Sequence, residues 1–248
     1  MARNVKIGCC GFPRSKQEYY TRFSLVEIQS TFYHLPKPET AQKWREAAPQ
    51  DFEFTLKAWQ GITHLTKSPT YRKIIHKIPP EVRSHYGHFR NTEQVFDAWF
   101  RTKEIAEQLR ASLILFQCPP DFQETEQAVA DLHSFFSRIP KTSLRMAIEF
   151  RSPWREETIR ALCRDYGLIH CVDPFKERAL CGEVIYYRLH GKPPGRTMYR
   201  YTYTDDDLQR LVAWIDESKP TYILFNNTNM WRDALRFMDL LNGGKHAN

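Results

Sequence analysis

Short apolar runs recur eight times along the chain, and helix-like segments separate most of them. The runs cover residues 7–10, 26–32, 54–58, 113–118, 146–150, 169–173, 184–190 and 222–227. Apolar runs that alternate with helical segments are typical of parallel strands joined by crossover helices. Eight such units in 248 residues predict an α/β fold, a TIM-type (β/α)8 parallel barrel, as one domain over residues 1–248. In such barrels the chemistry lies at the carboxyl ends of the strands.

Helix signals between these runs come from apolar spacing, capping residues and flanking glycines. They predict helices over residues 15–23, 38–48, 92–110, 125–139, 156–166, 204–217 and 231–241. Two segments interrupt the alternation. Residues 59–91 form a long basic insertion after strand 3, which we interpret as a lid or binding loop. Residues 174–183 are too few for a full crossover helix.

Composition narrows the class of partner. The formal net charge of +7 favours anionic partners, either nucleic acid or a phosphorylated small molecule. No run of 18 apolar residues occurs and the first residues lack a signal-peptide apolar region, which predicts a cytoplasmic protein with no membrane partner. The six cysteines include no Cys-x-x-Cys pair, so we expect reduced, buried thiols. A metal or iron–sulfur site is the less favoured alternative, on Cys9, Cys10, Cys171 and Cys181.

Strand alternation predicts a set of polar side chains inside the barrel, because successive side chains point to opposite faces. In residues 26–32 the apolar side chains fall on one face, whereas Glu27, Gln29 and Thr31 fall on the face that we assign to the lumen. The same reasoning extends to the other runs. It predicts a barrel mouth lined by Glu27, Lys57, Gln117, Glu149, Asp173, Arg188, His190 and Asn226.

Charges at these positions must find partners, since an unpaired buried charge is strongly destabilising. Salt bridges such as Glu27–Lys57 and Glu149–Arg188 would satisfy the mouth without any ligand. However, many charges converge where barrels place their active sites, and this convergence favours a functional site.

Seven motifs follow one another along the chain. They are residues 26–33 with Pro36 and Trp44, residues 52–57, 62–64, 116–120, 148–151 with Trp154, 188–191 and 225–227. In this order they resemble the YecE-like family, number seventy-two among the catalogued domains of unknown function. The resemblance runs from about Ile7 to the last helix and implies a TIM-type barrel, but it implies no settled activity.

Carboxylate and imidazole groups from different strands can hold a divalent cation for phosphodiester cleavage. We therefore predict first a metal-dependent phosphodiester hydrolase, a nuclease, with magnesium or manganese and no organic cofactor. Its predicted metal ligands are Glu27, Glu149, Asp173 and His190. Its predicted catalytic residues are Glu27, Lys57, Glu149 and His190. Its predicted substrate-binding residues are Tyr33, His64, Gln117, Arg151, Arg188, Asn226 and Asn227.

Cations and aromatic side chains mix in the predicted loops, at residues 71–73, 85–86 and 199–201 and at Arg196. Such mixing suits a nucleic-acid backbone with stacked bases. Two other functions stay open. A sugar or sugar-phosphate hydrolase or isomerase would use Glu27 and Glu149 as its acid and base. A non-catalytic protein would bind a phosphorylated ligand at the same mouth.

Overall fold

The computed structural model describes residues 4–140, 143–195 and 197–243. Within these residues, parallel strands pair in chain order and close into a barrel in which the last strand pairs with the first. The strands are β1 (Val5–Cys10), β2 (Leu25–Ile28), β3 (Glu53–Lys57), β4 (Leu113–Gln117), β5 (Arg145–Glu149), β6 (Ile169–Val172), β7 (Ile185–Leu189) and β8 (Thr221–Phe225). The predicted TIM-type (β/α)8 barrel is therefore confirmed.

Helices connect most of the strands. They are α1 (Lys16–Tyr20), α2 (Ser30–Tyr33), α3 (Pro38–Glu46), α4 (Gln60–Thr63), α5 (Glu93–Leu109), α6 (Glu126–Arg138), α7 (Glu156–Tyr166), α8 (Asp205–Ala213) and α9 (Met230–Leu241). Residues 173–184 contain no helix, as their small number predicts. The prediction that α8 reaches residue 217 is wrong. The Asp216 side chain accepts from the Ser218 amide at 2.9 Å, and this local turn replaces the last helical turn.

The second apolar run does not form a strand over its whole length. β2 ends at Ile28, and the residues from Ser30 to Tyr33 form α2 instead. The Thr31 hydroxyl explains this difference, because it donates to the backbone carbonyls of Ile28 and Lys57 at 2.8 and 2.6 Å and so holds the chain in a turn over the mouth. The prediction of strand alternation for the residues after Ile28 is therefore wrong.

The insertion after β3 packs against the barrel. It contains α4 and three short 3-10 helices, Pro69–Tyr71, Ile75–Lys77 and Pro80–His85. Tyr71 and Phe89 are both buried, and the Phe89 ring lies 5.8 Å from that of Phe116 on β4. These contacts hold the insertion against the barrel beside the mouth.

The cysteines differ in part from the prediction. Cys163 and Cys181 are joined by a disulfide, so the expectation of reduced cysteines is wrong for this pair. The free cysteines of the described residues, Cys9, Cys10, Cys118 and Cys171, are buried as expected. Within the three described ranges, no helix has the length and apolar character to cross a membrane.

Gly191 holds the backbone directly after His190 and offers a test of local packing. It adopts a φ of 89°, and a Cβ there would overlap the Met198 carbonyl oxygen. Gly167 has a φ of 66° with no neighbouring atom within 4 Å of its would-be Cβ, which makes it a matched control. We expect Gly167→Ala to lower the free energy of unfolding by about 1 kcal/mol and Gly191→Ala by about 3 kcal/mol, because only the second adds overlap to backbone strain. Urea unfolding measures both, and equal losses would contradict this account.

Candidate functional site

A buried guanidinium occupies the centre of the barrel mouth. Arg188, on β7, is 1% exposed. Its Nη2 donates to Glu27 Oε1 at 2.8 Å, and its Nη1 donates to Glu149 Oε2 at 2.5 Å and to Gln117 Oε1 at 3.2 Å. One side chain thus joins strands β2, β4, β5 and β7. Although burial alone would lower the pKa of Arg188, the two carboxylates hold it well above its usual value.

Glu27 differs from its predicted role. It is fully buried, and its Oε2 accepts a hydrogen bond from the Tyr186 hydroxyl at 2.9 Å. That hydroxyl also lies 2.8 Å from Thr55 Oγ1. Tyr186 was not among the predicted site residues, although it lies two residues before Arg188 on the same strand and therefore on the same face. Glu27 acts here as a fixed support for Arg188.

Glu149 is shared by two arginines. Its Oε1 lies 2.7 Å from Arg151 Nε, while its other oxygen binds Arg188. Burial alone would raise the pKa of Glu149, but the Arg151 and Arg188 guanidiniums lower it far below its usual range. This lowered pKa favours the ionised form of Glu149 at neutral pH and makes it a poor proton donor to a substrate.

His190 is a neutral imidazole held from both sides. Its Nδ1 lies 3.2 Å from Asp173 Oδ2, and its Nε2 lies 2.7 Å from Arg151 Nη2. Burial is the main reason that the pKa of His190 is lowered to about 4. The pairing indicates a proton on Nδ1 and a lone pair on Nε2 that accepts from Arg151. Asp173 in turn accepts from the backbone amides of His190 and Phe175.

Lys57 lies at the end of β3, and its ammonium group forms no salt bridge with any carboxylate of the described residues. The lysine Nζ instead lies 3.5 Å from the centroid of the Phe32 ring. Lys57 is 7% exposed, and burial together with the nearby Arg188 guanidinium lowers its pKa to about 7. The predicted Glu27–Lys57 salt bridge is therefore absent, whereas the Glu149–Arg188 pair is present.

The other predicted substrate-binding residues divide between the mouth and its surroundings. Asn226 lies at the mouth, where its Oδ1 accepts from Gln29 Nε2 at 2.7 Å. Asn227 does not reach the mouth, because its Nδ2 donates to Asp233 Oδ2 and to a backbone carbonyl. His64 is buried with its ring 4.8 Å from that of Phe32, and burial lowers its pKa to about 3. Tyr33 lies outside the mouth and is 51% exposed.

The predicted metal ligands do not fit this arrangement. Glu27, Glu149, Asp173 and His190 all have their donor atoms engaged by the contacts described above, and a cation between the two glutamates would meet the Arg188 guanidinium. Over residues 4–140, 143–195 and 197–243, no group of three or more His, Cys, Asp or Glu is arranged to hold a metal ion. We therefore derive no chemical step through a metal.

The loops predicted to bind nucleic acid are only partly available to a ligand. Tyr71 is 1% exposed, so it cannot stack on a base. Arg72 and Lys73 are exposed. The Tyr199 ring lies 5.9 Å from that of His190 and is partly exposed, whereas Arg196 lies outside the described residues.

The fold and the mouth together define a TIM-type barrel whose buried charges pair across the carboxyl ends of its strands. The chain belongs to the family described as "Protein of unknown function DUF72", whose model matches residues 13–247. It is 26% identical to the UPF0759 protein YunF of Bacillus subtilis (strain 168) over 86% of this chain and 80% of YunF. It is also 44% identical to the UPF0759 protein YecE of Escherichia coli (strain K12) over 20% of this chain and 18% of YecE.

A solved structure of a DUF72 family protein from Enterococcus faecalis V583 has the same fold. The TM-score is 0.71 at 20% identity, and the match covers 96% of this chain and 97% of that chain. Identity at this level shows the shared barrel and leaves the chemistry of the mouth to be argued from its own residues.

Proposed function

We propose that this protein is a phosphodiester hydrolase that acts on nucleic acid and uses Lys57 as its proton-transfer group. The observation that carries the proposal is a lysine beside two guanidiniums that pairs with none of the carboxylates in the described part of the chain. Arg188 Nε is also buried with no hydrogen-bond acceptor among the described residues. Cationic donors in this state favour a phosphate oxygen as the missing partner.

A lysine whose pKa lies near 7 can both give and accept a proton at neutral pH. In the proposed step water adds to phosphorus, and the Lys57 ammonium donates a proton to the leaving oxygen. The bond from phosphorus to that oxygen breaks, and the resulting amine takes the proton that the attacking water releases. In this proposal Arg151, with its side chain 15% exposed, binds the charge that builds on the phosphoryl oxygens.

The same geometry argues against the sugar hydrolase. Glycoside cleavage needs one carboxylic acid that is protonated at working pH. The pKa of Glu149 is lowered by two arginines, and Glu27 is fully buried between Arg188 and Tyr186. Glu149 is therefore unsuited to serve as that acid, and the hydrogen bonds of Glu27 hold it away from a substrate.

An activity screen tests the proposal. The purified protein is freed of metals and offered single- and double-stranded DNA, RNA and a chromogenic phosphodiester, and magnesium, manganese or zinc is then added in turn. We expect cleavage whose rate depends on a group with a pKa near 7. Lys57→Met should lower kcat by roughly 100-fold or more, which is typical for loss of acid–base catalysis. Lys57→Arg should lower kcat to a similar extent, because arginine does not release its proton near neutral pH.

Two outcomes would contradict the proposal. Absence of cleavage under every metal condition would exclude phosphodiester hydrolysis by this mouth. Cleavage that requires magnesium or manganese and survives Lys57→Met would favour the metal-dependent reaction instead.

A further inference from the structure

A cavity of about 990 Å³ lies beside the barrel mouth, between the segment after β2 and the insertion after β3. Its lining is largely apolar and includes the side chains of Tyr33, Trp44, Pro36 and Pro69. Small-molecule sites typically have volumes of roughly 300–1,000 Å³. The cavity, which we call the side groove, is therefore large enough for a nucleotide.

Positive charge surrounds the side groove. Lys37, Arg72 and Lys73 line it and are exposed, and His34 adds an imidazole. None of the described residues that line it is Asp or Glu. Aromatic surface with cations and no carboxylates is complementary to bases joined by phosphates.

The side groove is next to the mouth in the chain and in space. Ser30 lines the groove, and the preceding Gln29 bonds across the mouth to Asn226. Similarly, Tyr33 lines the groove, while the preceding Phe32 contacts Lys57. The groove and the mouth therefore share one segment of the chain, residues 29–33.

We propose that the side groove binds an unpaired base and the flanking phosphates of a single-stranded nucleic acid. Aromatic side chains stack on any base, provided that it is not paired, and lysines and arginines neutralise the phosphates. This proposal rests on the proposed function in one respect, namely that the bound strand is then cleaved at the mouth. Its test measures binding, which does not require cleavage.

The first experiment removes the charges. Binding of a short fluorescein-labelled oligothymidylate, and of the matching oligouridylate, is followed by fluorescence anisotropy at several salt concentrations in the presence of chelator. The groove triple variant Lys37→Gln/Arg72→Gln/Lys73→Gln should bind about tenfold more weakly. The slope of log affinity against log salt concentration should become less negative by about 2, since each of the three lost phosphate contacts contributes about 0.7 to that slope.

A control triple variant loses the same net charge at the opposite end of the barrel. It consists of Arg22→Gln, Arg164→Gln and Lys219→Gln, three exposed residues that precede β2, β6 and β8. We expect it to bind both oligonucleotides as the unmodified protein does. An equal loss in the control would show that net charge alone drives binding and would overturn the proposal.

The second experiment removes the aromatic face. Tyr33→Leu should weaken binding about tenfold, the scale of one base–aromatic stack, while Tyr33→Phe should bind normally. Phe100→Leu is the matched control, because Phe100 is 53% exposed on α5 and does not line the groove. The proposal is wrong if Tyr33→Leu binds normally.

Two competing ligands complete the test. A DNA duplex and a polyglutamate peptide should bind more weakly than the single strands. Binding of polyglutamate as tight as that of the oligonucleotides would make the groove a general polyanion surface and overturn the assignment. Preference for the duplex would overturn it as well. Single-strand binding that depends on Tyr33, together with no cleavage in any condition, would support the groove and contradict the proposed hydrolase.

Discussion

Arg188→Met is expected to lower the free energy of unfolding by about 4 kcal/mol, which makes it one of the two largest effects that we predict. The substitution leaves Glu27 and Glu149 in a buried mouth without the guanidinium that both of them bond. Removing one partner of a buried ion pair typically destabilises by roughly 3–5 kcal/mol, because an uncompensated charge stays behind. Urea unfolding at neutral pH, followed by circular dichroism, measures this loss.

Two further variants separate this cause from general damage. Adding Glu27→Gln and Glu149→Gln to Arg188→Met removes the stranded charges, and most of the lost stability should return. Arg160→Met removes an exposed pair with Glu156, whose side chains are 54% and 67% exposed, and should change stability by less than about 1 kcal/mol. If the triple variant is less stable than Arg188→Met, the stranded charges are not the cause.

Lys57→Met is expected to stabilise the protein at pH 7 by about 3 kcal/mol, even though the same change should lower the kcat of the proposed reaction roughly 100-fold. Burial lowers the pKa of Lys57 to about 7, while an unfolded lysine titrates near about 10.4. Between these values the unfolded chain holds a proton that the folded chain lacks, so the stability of the unmodified protein rises with pH. The advantage of Lys57→Met should therefore be largest at pH 7 and below and should shrink as the pH approaches 10.

The difference between the two proteins isolates this effect, because other groups that titrate at high pH are common to both. Unfolding is measured in urea from pH 6 to pH 9.5, with Lys67→Met as a control at an exposed lysine. The control should show no such dependence on pH. A Lys57→Met variant that is less stable than the unmodified protein, by an amount independent of pH, would contradict the buried and unpaired state of Lys57.

Much of the barrel could be predicted because its signals are local. α7 ends at Gly167, which adopts the left-handed conformation that glycine favours. α8 begins after Thr204, whose side chain accepts a hydrogen bond from the Asp207 amide. Alternation also placed Glu149, Arg188 and His190 in the lumen correctly, since strand geometry leaves them no other face.

The pairing within the mouth could be predicted only in part, since the expected Glu149–Arg188 pair is present and the expected Glu27–Lys57 pair is not. Which carboxylate meets Arg188 depends on the stagger of strands distant in sequence, and alternation alone does not give this stagger. Lys57 was paired with Glu27 for that reason, whereas the structure turns its Nζ to Phe32. The position of Phe32 depends on the turn that follows β2, in which the Thr31 hydroxyl donates to the Lys57 carbonyl of the neighbouring strand.

The Glu27–Arg188 bond also bears on how the chain folds. It joins residues 161 positions apart, and Arg188 bonds Glu149 only when β5 and β7 are both in place. Contacts between residues this distant form late, because the entropy of closing a long loop opposes them until the intervening strands have assembled. The hydrogen bonds of the mouth therefore form only when the barrel has closed. The drop in Lys57 basicity, followed by an amine-reactive label during refolding, would report the moment when the last strands join the first.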